Sequence, residues 1–153
     1  MISTISYGLL VFKLDNSQIK VLLAHPSGPF WASKDLWTIP KGEPEGIDVD
    51  SIATARREFS EETGILAPDK KLLDLGKLRQ SPRKVNHIWA VNSDPDISKF
   101  SSNMFELEWP RHSGKMQSFY ENDRIDWFDV ILAKRKLFPK QRQFIDRLNQ
   151  QIS

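Results

Sequence analysis

Residues 41–65, KGEPEGIDVDSIATARREFSEETGI, are where the chain changes its period. From Asp50 onward Ile52, Ala55 and Phe59 recur at helical spacing, and Gly64 stands where a left-handed C-terminal cap belongs. On that helix Glu58, Glu61 and Glu62 lie three and four positions apart, within an arc of roughly 100° at about 100° per residue. They flank the apolar stripe, so they point toward the seam between the helix and whatever it packs on. Like charges repel there, and their ionised forms are costly without a cation. A solvated acidic face is the commoner origin of an E-x-x-E-E pattern. The setting argues otherwise: a glycine-containing loop follows a short strand, Arg57 precedes the first glutamate and Gly64-Ile65 follows closely on the last. Hard oxygen donors suit Mg²⁺, with Mn²⁺ as the alternative.

The flanking chain is read in the same way. Ile5 to Leu14 and Ile19 to His25 are apolar runs separated by Asp15-Asn16-Ser17, an antiparallel hairpin pattern. HPSGPFWASKDLW reads as a loop with large exposed aromatics, followed by a short strand from Trp37 to Ile39 that Pro40 ends. Lys71 to Leu78, Lys84 to Val91 and Met104 to Trp109 read as strands. Asp129 is placed to cap a helix through Leu137. Pro139 begins another, with Phe144, Ile145, Leu148 and Ile152 as its apolar stripe. The order is strands, helix, strands, then two helices. No repeat or linker divides it, so the expectation is a single domain over residues 1–153, in the α/β class, with helices covering a mixed sheet.

Composition narrows the function classes. The sequence has 39% hydrophobic and 27% charged residues, a globular balance. Its formal net charge of +2 gives no clear nucleic-acid signal. Cysteine is absent, which removes disulfides, thiolate zinc sites and cysteine nucleophiles together. No apolar run approaches a membrane span, and the N-terminal stretch lacks the pattern of a signal peptide, so a cytoplasmic setting without membrane attachment is expected. His25, His87 and His112 show no paired metal spacing and are read as structural or exposed. GKMQ at Gly114 to Gln117 lacks the glycine spacing of a P-loop.

These residues resemble the Nudix box, G-x5-E-x7-R-E-U-x-E-E-x-G-U with U apolar. Gly42, Arg57, Glu58, Phe59, Glu61, Glu62, Gly64 and Ile65 match it. HPSGPFW, WTIPKGEPEG and FELEWP also look like segments of predicted bacterial Nudix pyrophosphohydrolases, in the style of diadenosine tetraphosphate hydrolases. The resemblance implies a Nudix-type α/β/α sandwich with a mixed sheet. It also implies that Glu58, Glu61 and Glu62 include metal ligands, that a backbone carbonyl near Lys41 or Gly42 adds another, and that Arg57 holds a glutamate in place. The chain departs from the pattern at one point: the stretch between Gly42 and Arg57 is one residue longer, and Val49 falls where the first glutamate belongs. Asp48 and Asp50 flank it, and a bulge bringing one of them into the role, Asp48 ahead of Asp50, is the expectation.

The activity so implied is metal-dependent hydrolysis of a diphosphate linkage in a nucleotide-like small molecule, the best single guess being a dinucleoside polyphosphate such as diadenosine tetraphosphate. A divalent cation would neutralise the diphosphate and acidify water, with one glutamate as base. Glu106 and Glu108 share one side of a strand, and either is placed to complete the metal site from across the cleft, ordinary surface placement being the alternative. Lys34 and Lys41 are candidates for phosphate contact, and Phe30, Trp31 or Tyr120 for stacking on a base. Two other readings stand beside this one: a housekeeping nucleoside triphosphate pyrophosphatase, and a Nudix-fold module that binds a nucleotide without turning it over. The sequence does not indicate an oligomeric state.

Overall fold

The computed structural model describes residues 3–152; residues 1, 2 and 153, which the single-domain expectation includes, lie outside the described residues. Strands β1 (Thr4–Asp15) and β2 (Gln18–Pro26) form the expected hairpin, with Asp15 opposite Gln18. Asn16 and Ser17 between them both take positive φ, 51° and 67°, the twist that a two-residue hairpin turn requires. Strand β3 is only Lys41–Gly42, pairing antiparallel with β1 at Gly8 and Tyr7. Helix α1 (Ser51–Thr63) follows, then β4 (Leu73–Ser81), β5 (Lys84–Asn92), β6 (Met104–Glu108), β7 (Met116–Tyr120) and β8 (Asn122–Asp129). Helices α2 (Val130–Lys136) and α3 (Arg142–Ile152) close the described chain, with a 3₁₀ turn at Pro139–Gln141 between them.

The main sheet runs β4-β5-β1-β2-β8, with β3 also on β1. The β1–β5 pair is parallel and the other pairs are antiparallel, so the sheet is mixed. Strict alternation along its central strands divides the core in two. Leu9, Val11, Leu22, Ala24, Trp89 and Val91 meet Ala55 and Phe59 of α1 on one face. On the other, Leu10, Phe12, Val21, Leu23, Ile88 and Ala90 meet Ala133 of α2 and Phe144, Ile145 and Leu148 of α3. This is an α/β/α sandwich. No described helix is long and apolar enough to cross a membrane.

The described chain departs from the sequence expectation in three places. Trp37 and Thr38 form isolated bridges rather than a strand, and β3 lies beyond Pro40. Pro40 lacks a donor, but its carbonyl still accepts from the Leu9 N–H at 3.1 Å, so it joins the sheet edge instead of ending it. Trp37 is buried, edge-on to Phe128 and His25, and belongs to the core rather than to the exposed aromatics of its loop. Finally β7 and β8 complete the sheets where no strand was expected, β7 pairing only with β6 in a separate hairpin.

Candidate active site

Helix α1 is fixed at both ends. The Asp50 side chain accepts from the Ala53 N–H at 2.7 Å, and Gly64, at φ 71°, donates its N–H to the Ser60 carbonyl. Asp50 is thereby the N-cap. Asp48 does something different: its two oxygens accept from Arg57 Nε and Nη2 at 2.9 and 3.0 Å, and also from the Glu45 N–H and the Thr54 hydroxyl. The guanidinium in turn donates through Nη1 to Glu58 at 3.1 Å and Glu61 at 3.0 Å, and through Nη2 to the Glu43 carbonyl. The loop aspartate thus locks the arginine, and the arginine steadies two glutamates. The Arg57 bonds hold the Asp48 carboxyl well below its ordinary range, and the Asp48 bonds raise the guanidinium further.

Glu58 and Glu62, one turn apart, face the short strand β3. The Glu58 carboxylate lies so close to Gly42 that a β-carbon there would overlap it, which explains glycine at this position without any special φ. Glu62 is buried: its Oε2 accepts from the Lys41 N–H at 2.9 Å, while Asn122 Nδ2 lies 3.4 Å from Oε1. Burial, reinforced by the charge of Glu58, pushes the Glu62 carboxyl up to about 8, and burial also raises Glu58. Burial and the nearby Lys84 charge bring Lys41 down to about 8. Glu61, more exposed, turns toward Arg57.

Of these groups Glu62 and Lys41 line a cleft of about 620 Å³. Glu62, Lys41, Glu121 and Asn122 line it together with Gln80, Lys84, Trp31, Phe138 and Lys140. Trp31 meets Phe138 edge-on at 5.2 Å. Lys34 does not line the cleft; its ammonium lies 4.9 Å over Trp31. Phe30 packs edge-on against Trp109, and Tyr120 is exposed on β7; neither lines the cleft. Glu106 and Glu108, expected to complete the site or else to lie on the surface, are exposed on the separate β6–β7 hairpin, Glu108 accepting from the His112 N–H, and neither lines the cleft. The acid facing Glu62 is Glu121, half-buried and near enough for its charge to raise Glu62. Glu121, Asn122, Gln80, Lys84 and Phe138 carry no motif that sequence reading finds. They come together only through the β4–β5–β1–β2–β8 order and the 3₁₀ turn.

A hard divalent cation fits this donor set. Glu58 and Glu62 offer carboxylate oxygens around a backbone that a β-carbon would fill, and Glu62 is a buried acid with only amide donors on its oxygens. Among the described residues no three acidic or histidine side chains cage an ion by themselves.

The NUDIX domain family model matches residues 5–148. No curated protein matches the chain. Among solved structures, the NUDIX domain of Shewanella oneidensis NrtR complexed with ADP ribose aligns at TM-score 0.68 and 16% identity, over 100% of this chain and 90% of that one. A Caenorhabditis elegans Ap4A hydrolase binary complex aligns at TM-score 0.63 and 16% identity, over 97% of each chain. A MutT protein from Methanosarcina mazei Go1 aligns at TM-score 0.62 and 18% identity, over 98% of this chain and 95% of that one. At these identities the structural likeness shows the fold alone. With the family model spanning nearly the whole chain and the sandwich formed as that family forms it, this protein belongs to the Nudix family.

Proposed function

We propose that this protein hydrolyses a diphosphate linkage in a nucleoside diphosphate derivative with the help of a divalent cation, Mg²⁺ or Mn²⁺. The observation that carries the reading is the convergence of Glu58 and Glu62 on the Lys41–Gly42 backbone, with Glu62 and Lys41 lining a cleft that also holds Lys84 and Lys140. A binding module has no use for a buried Glu62 carboxyl with a second carboxyl one turn away, whose joint ionisation is costly. Glu58, Glu62 and the Gly42 backbone would hold the cation, which supplies charge neutralisation and Lewis acidity to the diphosphate. The protein's own groups do the rest. Arg57, locked by Asp48, keeps Glu58 and Glu61 in place. Glu121, half-buried in the cleft beside Glu62 and raised by burial above its ordinary range, is placed to accept a proton. Lys41 meets phosphate oxygens, and Trp31 with Phe138 provides an aromatic wall for a base.

A dinucleoside polyphosphate such as diadenosine tetraphosphate is the first substrate to test, a choice favoured by the sequence segments noted above and by a neighbour described as an Ap4A hydrolase. One observation favours the triphosphate pyrophosphatase reading: of the aromatics once expected to stack, only Trp31 lines the cleft, giving one platform instead of two. Chromatography of the products decides. ATP and AMP from diadenosine tetraphosphate, at higher kcat/KM than for any nucleoside triphosphate, support the first; preferential release of pyrophosphate from a triphosphate supports the second. Retained nucleotide binding with no hydrolysis of any compound, with or without Mg²⁺, overturns both.

A further inference from the structure

Strand β2 lays Val21 and Leu23 on the face that packs under α2 and α3, and the alternation brings His25 onto that face next. An apolar side chain would continue the stripe. The imidazole found there is fully buried, edge-on to Trp37 with ring centroids 5.1 Å apart. A buried polar ring is costly unless its nitrogens are paired. Both nitrogens face acceptors, Nδ1 the Asp123 carboxylate oxygen Oδ1 at 2.8 Å and Nε2 the Lys34 main-chain carbonyl, so the ring's N–H groups hold both. Asp123 reaches the ring because the β2–β8 ladder slips here. His25 pairs with Arg124 and Pro26 with Asn122, so Asp123 is the extra residue of a bulge, a device that re-aims a side chain.

The Lys34 carbonyl belongs to the loop that carries Trp31. Residues 30–35 are exposed throughout, so no side chain of this stretch is sunk in the core. Its internal bonds are turn bonds, from the Ala32 N–H to the Gly28 carbonyl at 3.0 Å and from the Lys34 N–H to the Trp31 carbonyl at 2.9 Å. The loop is tied at its ends, where the Ser27 N–H donates to the Glu121 carbonyl and the Asp35 carboxylate accepts from Trp37 Nε1 and Lys136 Nζ. Between those ties Phe30 leans on Trp109, and His25 takes the turn that follows Trp31. Lys34 itself lays its ammonium over the Trp31 ring, so fixing its backbone fixes that contact as well. Asp123, on the other side of the imidazole, directly follows the cleft residues Glu121 and Asn122. We infer that His25 is a positioning residue for the base end of the substrate: it does not line the cleft, but by holding the Lys34 carbonyl to β8 it keeps Trp31 on the cleft wall and so sets how tightly a nucleotide, as distinct from its phosphates, is bound. The inference rests on the proposed use of Trp31 as an aromatic wall for a base, and not on turnover.

The test is calorimetric binding, in Mg²⁺ buffer, of α,β-methylene-ADP, whose bridging carbon blocks cleavage, beside methylenediphosphonate, the same anion without a base. His25→Phe keeps the buried ring and removes both N–H groups. It should lose roughly tenfold in affinity for the nucleotide analogue and change by no more than about twofold for methylenediphosphonate. Asp123→Asn, which keeps an acceptor but not its charge, should lose roughly threefold on the analogue alone. In a Trp31→Ala background the His25→Phe loss should vanish, because the two residues act as one unit. No binding of the analogue by wild type, unchanged affinity in His25→Phe, an equal loss for both ligands, or a loss that persists in full without Trp31 overturns the inference. If His25→Phe does not fold, Asp123→Asn carries the test, and unchanged analogue affinity there overturns it. The two readings fail separately. If no nucleotide is hydrolysed and His25→Phe still loses the analogue selectively, the hydrolase falls and the positioning role stands; if nucleotides are hydrolysed and His25→Phe binds the analogue normally, the reverse holds.

Discussion

A carboxyl buried as deeply as that of Glu62 ionises against the loss of water, and Glu58 one turn away adds like-charge repulsion. Its pKa rises from 4.5 to about 8, so between those pH values the folded protein holds a proton that the unfolded chain has released. The contribution of Glu62 is fully present below about pH 4.5 and is lost as pH rises toward 8, with a slope of up to about 1.4 kcal/mol per pH unit. Lys41 acts with the opposite sign in the next window: lowered from 10.5 to about 8, it costs stability below pH 8 and releases that cost as pH rises to 10.5. Metal-free protein should therefore show a falling melting temperature from pH 5 to 8. Mg²⁺ should raise the melting temperature more at pH 8 than at pH 5, because it favours the ionised form. In Glu62→Gln both effects should disappear, while the fold remains; a Glu62→Gln melting curve with the wild-type pH dependence would remove Glu62 from this role.

At the scale of elements, the helix and its loop divide their work between two aspartates. Asp50→Ala removes a helix cap and should cost about 1 kcal/mol with turnover kept. Asp48→Asn halves the carboxylate's grip on Arg57 and should lower turnover roughly 10- to 100-fold, the range seen when a group that orients a ligand is lost. Denaturant titration beside steady-state kinetics separates the two, and loss of turnover confined to the Asp50 variant would exchange their roles. Gly42→Ala drives a methyl into the Glu58 carboxylate, so we expect a stability loss of about 1–3 kcal/mol together with loss of turnover. Wild-type kinetics in Gly42→Ala would mean that Glu58 is free to move aside. The cap residues, the helix and the first hairpin are legible in the sequence because each depends on neighbours in the chain. Strand β8 is not: only Asn122, Ile125 and Phe128 of it are buried, a spacing of three that hides a strand from any alternation test. The β6–β7 hairpin has regular alternation in β6, but its exposed face carries Glu106 and Glu108 away from the cleft, and alternation alone does not say which side faces a site.

Across the whole molecule the sandwich follows from period: two-residue alternation in β1, β2 and β5 makes a sheet with two apolar faces, and three amphipathic helices cover them. The glutamate cluster was legible for the same reason, being contained within one helix. The cleft was not, because Glu121, Asn122, Gln80, Lys84 and Phe138 meet only when five strands are ordered and the chain turns at Pro139–Gln141. Trp37 shows the limit from the other side, an aromatic in a proline- and glycine-rich loop that nevertheless fills the core against Phe128. The central claim is that Glu62 serves a cation that the reaction needs, and single-turnover hydrolysis of diadenosine tetraphosphate and of nucleoside triphosphates across a Mg²⁺ titration, wild type beside Glu62→Gln, tests it most directly. The account predicts Mg²⁺-dependent cleavage by wild type and a rate lowered roughly 100-fold or more in a folded Glu62→Gln protein; equal Mg²⁺-dependent rates in the two proteins, or wild-type cleavage indifferent to metal removal, would contradict it.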